Sequence, residues 1–145
     1  MDGYSISLIV HLFSAIIFIG FVFADVIVFP VLLKKFSVSE YEEIKTVISS
    51  RAVKIFPLSL LALFLTGGYM FSKHINSELG FFSSSLQQLL WLKFILASFV
   101  IAGVVYSLTC KLRKVPPAPI MKQFHKFVLV IGIAIIFLAK YMFVA

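Results

Sequence analysis

Residues 6–33 read ISLIVHLFSAIIFIGFVFADVIVFPVLL, an apolar run interrupted only by His11, Asp25 and Pro30. A helix rising about 1.5 Å per residue needs roughly 17–25 apolar residues to cross the hydrocarbon core of a bilayer. This run meets that requirement and predicts a spanning helix. No basic segment precedes it, and it is too long for the apolar part of a cleavable leader, so it is expected to stay in place as the first helix. Three further runs repeat the pattern at 55–72, at 86–110 with Lys93 inside it, and at 127–145 with Lys140 near its end. Pro57 is expected in the first turn of the second span, where a missing N–H does least harm.

The whole composition agrees with that reading. Of 145 residues 61% are hydrophobic and 13% charged, and the mean hydropathy is +1.09. Ordinary globular domains carry roughly 25% charged residues. A chain of this size could not hide so much apolar surface from water, so lipid is the expected solvent. We therefore expect one all-α domain, an integral membrane four-helix bundle running up-down-up-down. Gly103, Ser107 and Gly132 would allow close helix contact, within one chain or in a homo-oligomer, although no tandem GxxxG motif specifies a dimer.

The net charge of +7 is concentrated between the apolar runs. Residues 34–54 hold Lys34, Lys35, Lys45, Arg51 and Lys54, with Glu40, Glu42 and Glu43 suggesting a short surface helix capped by Ser39. Residues 111–126 hold Lys111, Arg113, Lys114, Lys122 and Lys126 around Pro116, Pro117 and Pro119. The serine-rich segment 73–88 has Lys73 as its one basic residue. Lysine and arginine favour the cytoplasmic side. Loops one and three are thus expected inside and both termini outside, as in a bacterial cytoplasmic (inner) membrane protein. The partner for this charge is an anionic membrane surface rather than nucleic acid. Cys110 is the single cysteine and forms no internal disulfide.

Charged and ionisable residues inside a span are costly and tend to mark function. Counting from the cytoplasmic ends at about 1.5 Å per residue, His11 lies at roughly 27 Å, Lys93 at roughly 25 Å and Lys140 at roughly 21 Å. Three helices would place a nitrogen-bearing side chain in one outer slab, around one pocket if all face inward. The plainer alternative is that Lys93, which follows Trp91, and Lys140 snorkel to the headgroups. His11 in turn would be a satisfied structural histidine. Asp25 returns to the face of His11 with Phe18 between them, and a structural ion pair with Arg51 or Lys54 is favoured over a proton relay. His74 and His125 mark the ends of the second and fourth spans, where a histidine is an interface residue or a ligand.

No HExxH, paired cysteines, phosphate loop or Ser/His/Asp set is present. Four scattered methionines, Met1, Met70, Met121 and Met142, do not make a copper cluster. With three histidines and one cysteine, a cofactor bringing its own equatorial ligands, such as haem, asks least of the chain. The chain's 17 Phe and 5 Tyr would suit it.

At these residues the chain resembles the HemJ-type protoporphyrinogen oxidase family and, more loosely, the CopD-like membrane domain. The likeness runs through His11-Leu12-Phe13, Phe29-Pro30, Arg51 to Pro57, Thr66-Gly67, Trp91-Leu92-Lys93 and Ala139-Lys140. It differs where Val31, rather than arginine, follows Pro30. The resemblance implies a four-helix membrane fold that binds haem b and a porphyrin-oxidising activity, with His11 and Lys93 at the matched positions. The expected site is then Lys93, Lys140 and Arg51 for catalysis, His11, His74 and His125 for the cofactor, and His11 for the metal. The alternatives at this stage are a copper-handling protein of the CopD-like type and a non-enzymatic membrane assembly factor.

Overall fold

The computed structural model describes residues 2–116 and 118–141, with the backbone alone at Met121 and Lys122. The expected fourth span therefore extends, at 142–145, outside the described residues. The chain is all-α. Among the described residues, four helical segments are each long and apolar enough to cross a membrane: Gly3–Lys34, Val38–His74, Ser85–Leu112 and Phe124–Tyr141. Their outer faces show why lipid must be the solvent. Ile16, Leu58, Phe99 and Phe137 are each about 70% exposed, which water would penalise and acyl chains do not.

The chain divides into two compact units, 1–70 and 71–145. In the first unit, α1 (Gly3–Phe23) starts at Asp2, whose carboxylate accepts the Ser5 N–H at 2.8 Å. That bond, with help from the Ser5 side chain, holds the Asp2 carboxyl below its ordinary range. The first span is not uniform, as the sequence alone suggested. It widens into a π-helical turn at Ala24–Val28 and tightens into a 3-10 segment at Phe29–Lys34. Pro30 explains the change, because it has no N–H to give and its ring excludes the carbonyl four residues back. The wide turn instead closes through the Phe29 N–H on the Ala24 carbonyl.

α2 (Val38–His74) corrects two expectations. The short surface helix and the second span are one continuous helix, and Pro57 lies well inside it rather than in a first turn. Residues 34–56 contain no Gly or Pro to break the run, and membrane helices tolerate an interior proline. The cap is Ser37, not Ser39. Ser37 Oγ accepts the Glu40 N–H at 3.1 Å, and Glu40 accepts the Ser37 N–H at 2.8 Å. This reciprocal pair satisfies two backbone donors at once. Ser37→Ala is expected to cost about 1 kcal/mol, read as a lower unfolding midpoint in detergent, whereas Ser39→Ala should be near neutral.

Contacts within this unit pair the start of α1 with the end of α2. Gly3 faces Tyr69 and His11 faces Gly67, while Phe18 and Phe21 meet Phe56 with centroids 5.0 and 4.6 Å apart. Ser14, Phe18, Val22 and Asp25 are all buried. With His11 they form one stripe at helical spacing, as the sequence period required.

In the second unit, α3 (Ser85–Leu112) and α4 (Phe124–Tyr141) pack together, joined through a short 3-10 segment, Pro119–Gln123. Ser84 caps α3 through the Gln87 N–H. Its far end closes with Lys114 in the left-handed region at φ 56°. There the Val115 N–H reaches the Cys110 carbonyl and the Lys114 N–H that of Lys111, the two bonds of a Schellman ending. At Gly103 the Phe124 ring lies directly on the α3 backbone, where a Cβ would collide with it.

Candidate functional site

The strongest constellation is built around His11 in the first unit. Its Nδ1 lies 3.0 Å from the hydroxyl of Thr66. That hydroxyl has one proton, and its closest acceptor is the Ala62 carbonyl at 2.6 Å. Thr66 Oγ1 therefore turns a lone pair to the imidazole. An Nδ1–H on the ring can donate to that lone pair. Beside Thr66, Gly67 leaves room for the ring. A Cβ there would come within 3.2 Å of His11 Cε1. The two residues together hold the orientation of a half-buried imidazole in an otherwise apolar helix. Ligating histidines are held in this way, donating one ring N–H to the protein while the other nitrogen binds.

About four turns further along, Asp25 is buried and pairs with Lys45 at 3.3 Å. This corrects the expected pairing with Arg51 or Lys54. Because α2 is already helical from Val38, its earlier turn carries Lys45 opposite the π-helical turn that holds Asp25. The Lys45 ammonium also lies 5.5 Å from the centroid of the buried Tyr41 ring, a cation–π geometry. Lys45→Met should leave the carboxylate buried with less compensation. We expect a loss of about 2–3 kcal/mol, reduced from the fully buried case because Lys45 is part-exposed. Adding Asp25→Asn should recover most of it, and thermal unfolding of the two variants is the check. Arg51 is exposed on the same helix.

In the second unit the polar centre is Gln87, which is 4% exposed. The two N–H groups of its amide are shared among the carbonyls of His74 at 3.0 Å, Leu79 at 3.2 Å and Gly80 at 3.0 Å. Its oxygen accepts the N–H and hydroxyl of Ser83 at 2.8 and 3.1 Å. One side chain thus ties down the whole turn between α2 and α3, where Gly80 adopts φ 87°. Trp91 adds a bond to the Phe81 carbonyl at 3.0 Å and stacks on Phe82 with centroids 5.6 Å apart. Half-buried Lys93 lies a half-turn beyond Trp91.

The remaining expected residues are spread through this unit. His74 ends α2 and His125 opens α4, its ring 6.3 Å from that of Phe124, while Lys140 is exposed at the far end of α4. Among the described residues, no group of three or more His, Cys, Asp or Glu side chains could hold a metal ion. Sequence reasoning noted Thr66-Gly67 as a pair without seeing its role toward His11. It missed Gln87 and Lys45 as partners, since neither has a local signature. Set against protein-family models, curated proteins and solved structures, the chain matches none.

Proposed function

We propose that this integral membrane protein holds haem b through Nε2 of His11, as an electron carrier or a redox enzyme diverged from the protoporphyrinogen oxidase type. The observation that carries the reading is an imidazole inside an apolar span whose Nδ1 lies 3.0 Å from the Thr66 hydroxyl and whose Cε1 seats against Gly67. An iron porphyrin supplies its own four equatorial nitrogens and asks the protein for one or two more. That suits a chain whose described residues offer no three-ligand group, and it weighs against a copper cage. When bound, haem would supply one-electron exchange. The work left to the chain is to present the imidazole at fixed orientation. Thr66 and Gly67 do this from the facing helix, and the Phe18, Phe21 and Phe56 rings line the same stripe.

The reading extends to orientation. The basic segments 34–54 and 111–126 lie on the cytoplasmic side of a bacterial inner membrane, with both termini outward and the helices alternating in direction. It agrees with the resemblance carried by His11, Arg51 to Pro57 and Trp91 to Lys93. The test is a pyridine haemochrome spectrum of the protein purified in detergent, before and after haem is added. A b-type haemochrome stoichiometric with protein is expected. Protein that stays colourless after haem addition overturns the proposal.

A further inference from the structure

We infer that the α3–α4 pair carries a site for one anionic phospholipid, with its acyl chain in an apolar groove and its headgroup on the basic segment that joins the two helices. The inference does not rest on His11 or haem. The groove has a volume of about 560 Å³ and is lined by Phe99, Gly103 and Tyr106 from α3, Ile120 from the connection, and Phe124 and Ile131 from α4. It is open along one side. Its shape follows from Gly103, because a bare backbone there lets the Phe124 ring lie against α3 and form the groove floor. The Tyr106 hydroxyl accepts the Ala118 N–H at 3.2 Å and so fastens the connection over the groove's end.

Depth and charge select the occupant. Phe99 lies roughly 18 Å along α3 from Lys111, at about 1.5 Å per residue. Half of a hydrocarbon core is about 15 Å. The groove's deep end therefore lies about one leaflet below the basic rim, within reach of one acyl chain, and its α3 lining runs roughly 10 Å from Phe99 toward that rim at Tyr106. Residues 111–126 carry five Lys or Arg and no Asp or Glu. Lys111, Arg113, Lys114 and Lys126 are all exposed. The Schellman ending holds the Lys114 backbone against the end of α3, through its N–H on the Lys111 carbonyl. Basic clusters beside spanning helices attract anionic headgroups. A groove facing lipid with that rim has the chemistry of a phosphodiester above a hydrocarbon tail.

The test uses the full chain reconstituted in vesicles of phosphatidylcholine with phosphatidylglycerol, then released in mild detergent for native mass spectrometry. Wild type should retain one phosphatidylglycerol, favoured over phosphatidylcholine by about tenfold. Reversing Arg113, Lys114 and Lys126 to Glu should abolish the preference. Ala102→Phe fills the groove from a lipid-facing position and should remove the retained lipid of either kind. Circular dichroism should report an unchanged helix content for both variants. The inference is overturned by wild type without a retained phospholipid, by equal retention of the two lipids, by a preference that survives charge reversal, or by a porphyrin or second chain displaced by Ala102→Phe.

Discussion

Gln87→Leu is expected to destabilise the second unit by about 3–4 kcal/mol, the sum of several buried hydrogen bonds at about 1 kcal/mol each. The leucine fills nearly the same volume, so the loss isolates hydrogen bonding from packing. Removing the amide takes a donor from the carbonyls of His74, Leu79 and Gly80 and the acceptor from the Ser83 N–H, while the Ser83 hydroxyl still reaches the Leu79 carbonyl at 3.2 Å. Local opening should follow at the Gln87 side of the turn 75–84, while the Asn76 side chain still accepts the Glu78 and Leu79 N–H groups and Ile75 stays packed on Leu90. We expect faster proteolysis within that turn, together with a lowered unfolding midpoint. Gln87→Glu, which keeps an acceptor for Ser83 but loses both amide donors, should fall between wild type and leucine. A loss below about 1 kcal/mol would show that the turn is held by its own backbone.

Thr66→Val tests the other polar centre. The substitution is close to isosteric and removes only the hydroxyl that lies 3.0 Å from His11 Nδ1. Loss of such an outer partner typically lowers metal affinity about 10–100-fold. Haem titration followed by absorbance should show that drop, and Thr66→Ser should restore affinity. An affinity unchanged in the valine variant would mean that Thr66 only packs against the ring.

The parts of this molecule that lipid demands were legible from sequence. A bilayer core accepts backbone only when its polar groups are bonded internally, so every span must announce itself as a long apolar run. The face shared by His11, Phe18 and Asp25 was legible for the same reason, since helical period alone places them in line. Boundaries were less so. Ser37-Val38-Ser39-Glu40 and Ser39-Glu40-Tyr41-Glu42 both have the capping-box pattern, and only the path of the preceding chain makes Ser37 the cap. Nothing in 34–56 marks where an interfacial helix stops and a span begins, because in α2 it does not stop.

Partners across helices were the least legible. Which lysine meets Asp25 depends on how α2 enters the membrane, and moving its start to Val38 replaced Arg51 and Lys54 with Lys45. Gln87, in a serine-rich stretch, resembles ordinary loop polarity until the fold wraps the turn around it. Thr66 is an unremarkable threonine by sequence. Its role appears only when α1 brings an imidazole to its hydroxyl.

Haem added to the purified wild type and to His11→Ala, with visible spectra recorded in the oxidised and reduced states, bears most directly on the account. Wild type should develop a sharp Soret band and a resolved reduced α band, while the alanine variant should show only haem dissolved in the detergent micelle. Identical, well-resolved protein-bound spectra from both would remove His11 as the ligand and the proposed function with it.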